Sequence, residues 1–494
     1  MKFSPKRTII ASPHPTEKWF MYRKTKIVAT LGPASQQPEK IKALIHSGVN
    51  VFRLNFSHGS HADHRQAVQR IRQISSELRV QVGVLQDLQG PKIRVGRFKE
   101  GVISLENGQT FKLYDDNNIT GDINGVGISY ARLWQDVSVG DELLLDDGKL
   151  SLQVTNIDDR TLVCQVLLGG ELSDHKGINV PSADLSIAAV TEKDRVDLAL
   201  GAELDVDWVA LSFVRSADDL KLARQYLKEH QSTAKLMAKI EKPGAVKNFK
   251  SILKEADGIM VARGDLGVEL STEQVPLLQK KLIQQAREKG KPVVTATQML
   301  ESMIEQATPT RAEANDVANA IFDGTDAVML SAETATGEFP LEAVQTMARI
   351  AKTVEQDDSY RNHIHQHKVA VQKNTPDAVS SAACQVASIL KAQVMCCFSS
   401  SGATALRVAR NRMVTPVIAI SPHQKSCRQL TLSWGIYPVL NDQAKSTDAM
   451  VEVSNAVITE SNMAQIGDTY VITAGVPFGQ SGTTNLIRVE TLSA

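Results

Sequence analysis

Short runs of consecutive apolar residues recur along this chain, each followed by polar or glycine-rich residues and then by a stretch of helical period. They fall in two blocks: segments 25–32, 49–56 and 82–87, then 207–213, 235–241, 258–264, 292–299 and 327–333. Amphipathic stretches at 38–46, 216–229, 272–288 and 341–354 lie between or after them. Strands buried on both faces read as near-continuous apolar runs, and strictly alternating βα units imply parallel pairing with right-handed crossovers. The pattern predicts an α/β fold in which eight such units close into an eightfold β/α barrel. An open, doubly wound sheet is the competing architecture.

Between the third and fourth segments the rhythm changes to short alternating stretches at 102–105, 110–114, 142–145, 150–157 and 161–168. Glu106-Asn107-Gly108 and Asp146-Asp147-Gly148 supply turn signals. This predicts a small inserted β-barrel domain over 97–181 that leaves and re-enters at a strand end, placed to close over a site as a lid. Residues 361–368 read as a polar linker whose alternate histidines, His363, His365 and His367, lack the carboxylate or cysteine cluster of a metal site. Beyond them, a helix at 376–391, strands at 394–398, 417–420, 436–440, 470–473 and 485–489, and helices from 403 and over 447–461 predict a C-terminal open α/β domain. The expected division is an N-terminal extension at 1–23, barrel at 24–96 and 182–358, lid at 97–181 and C-terminal domain at 359–494.

Lysine and arginine number 55, as do aspartate and glutamate, so no net field recruits nucleic acid or an acidic membrane. Phosphate-binding charge must therefore be local. Cys164, Cys384, Cys396, Cys397 and Cys427 form neither a disulfide framework nor a zinc spacing, which suits a reduced compartment. The first 22 residues lack the apolar core of a signal peptide, and no run is long enough to span a bilayer. The expected location is cytoplasmic.

A β/α barrel presents its reactive groups at the C-terminal ends of its strands. Those ends carry Arg53, Asn55, Ser57 and His58; Asp87; Ser212; Lys239 and Glu241; Arg263 and Asp265; Thr295, Thr297 and Gln298; and Ser331 and Glu333. Polarity is ordinary at one strand end and unusual at seven together. Lys239 and Glu241 alternate along their strand and so share its face, with Asp265 at the neighbouring strand end. Two carboxylates without histidine or cysteine suit Mg²⁺, which takes one or two protein carboxylates plus substrate oxygens and water. A salt-bridge network among Lys239, Glu241, Arg263 and Asp265 is the alternative. A metal, a lysine and an arginine such as Arg53 are the parts that neutralise a phosphoryl group in flight, and no P-loop is present.

Long motifs run in order through the barrel and its insertion: TLGPAS at 30–35, RLNFSHG at 53–59, DLQGPKIR at 87–94, GIMVARGDLG at 258–267, ATQMLESM at 296–303, PTRAE at 309–313 and MLSAE at 329–333. On these the chain resembles the pyruvate kinases. The resemblance implies a TIM barrel and transfer of phosphate from phosphoenolpyruvate to ADP, giving pyruvate and ATP. It implies that Lys239 stabilises the transferring group and that Glu241 and Asp265 hold Mg²⁺, with Mn²⁺ as a substitute. Arg53, Gly264, Asp265 and Thr297 would contact phosphoenolpyruvate, while Asn55, Ser57, His58, Arg94 and Lys176 would face the nucleotide. A relay through Thr297, Ser331 and Glu333 is expected to assist protonation of the enolate. A barrel lyase or carboxylase and a catalytically inert scaffold are the rival readings.

The resemblance further implies a homotetramer and a C-terminal effector site for a phosphorylated metabolite. Ser399, Ser400, Ser401, Gly402, Ala403 and Thr404 follow a strand and open a helix, a place where amides hold phosphate. Gly479, Ser481 and Gly482 would face them on a glycine-bearing loop; a plain helix cap is the alternative. Asn55, Ser57, Asp87 and the carbonyl of Leu88 correspond to the monovalent-cation region of potassium-dependent members. Lys92 stands where those members carry glutamate, so its ammonium is expected to replace K⁺, which the enzyme would not require.

Overall fold

In the computed structural model, which describes residues 23–494 apart from 182, 184, 367–368, 445, 478–481 and 494, the eight predicted segments all form parallel strands. They are Lys26–Thr30, Val51–Asn55, Gly83–Asp87, Trp208–Leu211, Lys235–Ile240, Gly258–Ala262, Val293–Ala296 and Ala327–Leu330. Each pairs with its neighbours in chain order, and the first also pairs with the last, Lys26 opposite Ala327. That pairing closes the sheet and excludes the open alternative.

Side-chain parity divides the strand residues between two cores. Val28, Val51, Leu85, Ala210, Met237, Met260, Ala296 and Met329 fill the inside of the barrel. Ile27, Phe52, Val84, Val209, Leu236, Ile259, Val293 and Val328 face the helical shell. Continued toward the strand ends, the inward parity carries Arg53, Asp87, Ser212, Lys239 and Glu241 to the mouth. Leu432, from the C-terminal region, joins the inner cluster and is fully buried.

The insertion forms a seven-stranded sheet, in the order Ile93–Arg94, Gly177–Asn179, Glu142–Leu145, Leu150–Asp158, Thr161–Leu168, Thr110–Tyr114 and Gly125–Gly127. A two-stranded ribbon of Val102–Leu105 and Gly170–Ser173 accompanies it. The expected start at residue 97 falls too late, because Ile93 and Val95 already lie in this domain's core and Ile93 pairs with Ile178. The two- and three-residue strands were invisible in the sequence, being too short to show a period.

The expected linker is also corrected in part. Asp358–Gln366 is a helix that buries Tyr360 and Ile364 against the barrel's outer core, an apolar pair four apart within a polar stretch. The third histidine of the alternating set lies outside the described residues. Beyond it, Ile436–Leu440, Val417–Ser421, Val394–Phe398, Thr469–Gly475 and Thr484–Thr491 form a sheet in that order, parallel except for the last pair. This domain seals the N-terminal end of the barrel. Arg412 grips the buried Asp326 with both oxygens at 3.0 Å, and the Trp208 indole donates to the Gln429 carbonyl at 3.1 Å. Among the described residues no helix is long and apolar enough to cross a membrane.

Candidate active site

At the C-terminal mouth a compact cluster of charge forms around Lys239. Its ammonium donates to Ser212 Oγ at 2.8 Å and stands 2.9 Å from Glu241 Oε1 and 3.2 Å from Asp87 Oδ1. Asp87 Oδ2 accepts from Arg53 Nε at 2.6 Å, and Arg53 also reaches Thr30 Oγ1 at 3.1 Å. Burial disfavours the Lys239 ammonium, but Asp87 and Glu241 outweigh it and hold its pKa above the ordinary lysine value. Burial likewise opposes the Asp87 carboxylate, yet Lys239 and Arg53 keep its pKa below the usual range. Lys239 and Asp87 are therefore both charged at neutral pH.

Glu241 differs. Burial pushes its carboxyl up, Lys239 pulls it down, and the Asp265 charge adds to the upward push. Oε2 accepts the Phe213 amide at 2.7 Å, whereas Oε1 is buried with no aligned hydrogen bond despite its closeness to Lys239. Beyond its ion pair with Lys239, this oxygen is left free of an aligned hydrogen bond and feels the charge of a second carboxylate, so it can ligate a further cation. Asp265 sits in the first turn of the helix Arg263–Glu269, a quarter exposed, so it faces the open mouth. Among the described residues no three His, Cys, Asp or Glu side chains cluster as a closed metal cage. Two carboxylates at an open mouth fit Mg²⁺, which completes its shell with water and substrate oxygens.

Thr297 and Gln298 follow the seventh strand with φ of 68° and 53°. A left-handed β-branched residue is strained. Arg263 compensates, donating to the carbonyls of Thr297 at 2.7 Å and Gln298 at 3.2 Å while paired with Asp316 at 2.6 Å. The threonine hydroxyl in turn receives the Gly264 amide at 2.7 Å and donates to the Ala296 carbonyl at 2.6 Å. Thr297 and Gly264 are thus brought together. Thr295 is not at the mouth: it is buried and bonded to Thr325 at 2.9 Å. Glu333 binds the amides of Ser331 at 2.7 Å and Leu300 at 3.2 Å, and burial raises its pKa despite them. Both its oxygens therefore hold backbone, a positioning arrangement for the eighth strand end.

Asn55 Oδ1 accepts the Ser57 amide at 3.2 Å, and the His58 imidazole is kept below its ordinary pKa by burial, then by Arg94 and Arg53. Arg94 bonds the His175 carbonyl at 2.8 Å, and Lys176 pairs with Asp146 at 2.8 Å on the lid. The Leu88 carbonyl accepts Ser212 Oγ at 2.7 Å. The Lys92 ammonium, expected to supply charge in the monovalent-cation region around Asp87, stands 3.6 Å from Asp265 and 3.5 Å from Asp147, while Arg53 and Lys239 are the cations in contact with Asp87. Asp87 was expected only at a strand end and in the monovalent-cation region; its pairing with both Arg53 and Lys239 at the centre of the charge cluster went unrecognised. The supporting contacts of Phe213 and Asp316 carried no signal in the sequence.

Comparison with known proteins decides the family. The family model for the pyruvate kinase barrel domain matches residues 22–344, and that for the pyruvate kinase alpha/beta domain matches residues 377–490. The chain belongs to the pyruvate kinase family. These are phosphotransferases of glycolysis that convert phosphoenolpyruvate to pyruvate. Pyruvate kinase 2 of Synechocystis is 47% identical over 96% of this chain and 80% of its own length. The pyruvate kinase of Agrobacterium vitis is 44% identical over 96% of this chain and 97% of its own length. The crystal structure of a pyruvate kinase from Cryptosporidium parvum superimposes with a TM-score of 0.89 at 34% identity, covering 97% of this chain and 98% of that one. The lyase, carboxylase and inert-scaffold readings have no such support.

In the C-terminal domain of this family member, Gly402 adopts φ 82° and begins the short helix Ala403–Ala409. Thr404 Oγ1 is buried against Thr484 Oγ1 at 2.7 Å, and the Thr404 amide reaches Ser399 Oγ at 3.4 Å. The Ser400 carbonyl accepts Ser421 at 3.2 Å and Ser426 at 2.7 Å. Gly482 has φ 87°, while Gly479 and Ser481 lie outside the described residues.

Proposed function

We propose that the barrel mouth carries out the family reaction, with Lys239 and Arg53 gripping the phosphoryl group of phosphoenolpyruvate. The observation that carries this is the Asp87–Lys239–Glu241 cluster: its ammonium is pre-oriented and charged, so stabilising the transition state costs little reorganisation. ADP attacks phosphorus in line, the bond from phosphorus to the enolate oxygen breaks, and the enolate then takes a proton at its methylene carbon. Lys239 meets the charge on the transferring group. Thr297, fixed by Gly264 and Arg263, lies on the strand end from which a proton would be relayed, with Ser331 at the end of the neighbouring eighth strand and Glu333 holding the Ser331 amide. Glu241 and Asp265 are the residues that would hold Mg²⁺, or Mn²⁺ in its place; the cation supplies charge stabilisation to the phosphoryl and enolate oxygens.

Asn55, Ser57, His58, Arg94 and Lys176 form the nucleotide side, the last two brought by the lid. Lys92 supplies the local positive charge beside Asp265, so K⁺ is not required. Residues Ser399 to Thr404 with the loop around Gly482 form the site of a phosphorylated effector, and the assembly is a cytoplasmic homotetramer. A coupled assay tests the central reading: pyruvate release must depend on ADP. Oxaloacetate formation dependent on bicarbonate would end it.

A further inference from the structure

The lid meets the barrel through a buried polar contact that none of the roles above uses. Asn179 Nδ2 donates to Glu269 Oε1 at 2.6 Å, with both residues buried. Glu269 also pairs with the Lys242 ammonium. Lys242 and Glu269 both belong to the barrel, so their pair survives when the lid lifts, whereas Asn179 belongs to the lid strand Gly177–Asn179. Lys176 immediately precedes that strand, and Arg94 is paired with Gly177 across it. On the barrel side, Glu269 ends the helix whose first turn carries Gly264 and Asp265. The Lys242 ammonium lies 5.8 Å from the Phe213 ring centroid, and the Phe213 amide holds Glu241.

We propose that Glu269 is a positioning residue: together with Lys242 it clamps Asn179 and so fixes the closed lid, setting Lys176 and Arg94 over the mouth. The part concerning Lys176 and Arg94 rests on their nucleotide role. The chemistry suits a reversible clamp. A charge-assisted bond from a neutral amide is strong, yet it breaks without separating an ion pair. Asn179 Oδ1 is buried without a partner among the described residues, which costs the closed position part of that gain. The contact is continuous from the lid through Lys242 and Phe213 to Glu241, giving lid position a physical route to the catalytic carboxylates.

The five cysteines are buried, so spin labels attach selectively to cysteines introduced at the exposed Val139 on the lid and Leu277 on the barrel. In the full chain with MgADP, the interlabel distance distribution should be narrow, and Asn179→Ala and Asn179→Asp should broaden it. Both should raise KM for ADP by about tenfold or more while KM for phosphoenolpyruvate stays within about twofold. In a Lys242→Met/Glu269→Leu background, where an apolar pair replaces the ions, adding Asn179→Ala should change nothing further. An unchanged distance distribution in both Asn179 variants overturns the clamp, whatever KM does, and so does full additivity in the combined variant. A broadened distribution with unchanged KM for ADP upholds the clamp and removes the nucleotide role of Lys176 and Arg94.

Discussion

The carboxylate of Asp87 lies 3.2 Å from the ammonium of Lys239, so the third and fifth barrel strands meet in an ion pair at the mouth. Because Asp87 is also bonded to Arg53, one buried anion orients both cations assigned to the phosphoryl group. Burying three charges this way adds little stability, which makes preorganisation its physical use.

Lys239→Ala should lower kcat by about a hundredfold or more with little change in the Mg²⁺ requirement, since the ammonium acts chiefly in the transition state. Steady-state kinetics on a variant with unaltered circular dichroism checks this. Turnover near wild type would show that another group carries the role.

Glu241→Gln and Asp265→Asn should each raise the Mg²⁺ concentration needed for half-maximal activity, and chelation should abolish turnover. Glu241→Gln can retain the Phe213 bond, so the fold should be preserved. Calorimetric titration of Mg²⁺ with phosphoenolpyruvate present measures the affinity directly. Unchanged affinity in both variants places the metal elsewhere.

Replacing K⁺ with tetramethylammonium at constant ionic strength should change kcat by less than about threefold, about 0.7 kcal/mol of barrier. Lys92→Glu would set a third carboxylate beside Asp147 and Asp265 and should create a K⁺ requirement. A loss of about tenfold in the wild type without potassium would refute the substitution.

Lys26 is buried at the barrel floor, its ammonium donating to the Ile436 carbonyl at 2.7 Å and lying 4.6 Å from the Tyr437 ring centroid. Burial, then Arg23, lower its pKa to about 7, against Glu355 and Asp326. A folded value below the unfolded one means the unfolded chain binds more protons between them. This contribution therefore makes stability rise as pH increases from about 7 toward 10, with the penalty fully present below 7. Thermal midpoints across that range should climb less in Lys26→Met than in wild type. Equal slopes would show that Lys26 does not titrate there.

Ser401→Ala with Thr404→Ala should leave the maximal rate largely intact and weaken the response to a phosphorylated activator. Coupling of this kind is typically about 1–3 kcal/mol, so a shift of about 5- to 150-fold in half-saturation is at stake. Substrate titrations with fructose bisphosphate, AMP and sugar monophosphates decide it; an undiminished response in the double variant would locate the effector elsewhere.

The sequence determined the elements and their order. Apolar runs long enough to show a period marked all eight barrel strands, and alternation along Lys239-Ile240-Glu241 set the lysine and carboxylate on one face. It did not reveal pieces too short for periodicity, such as Ile93–Arg94, or the helix Asp358–Gln366, whose apolar residues are few. Tertiary structure alone decided pairings across long separations: Lys239 with Asp87, Lys92 with Asp265, and Asn179 with Glu269. Local pattern reports which face a residue takes. Which partner waits there depends on barrel closure and on where the inserted domain packs, so those side chains found their partners only once the chain had folded.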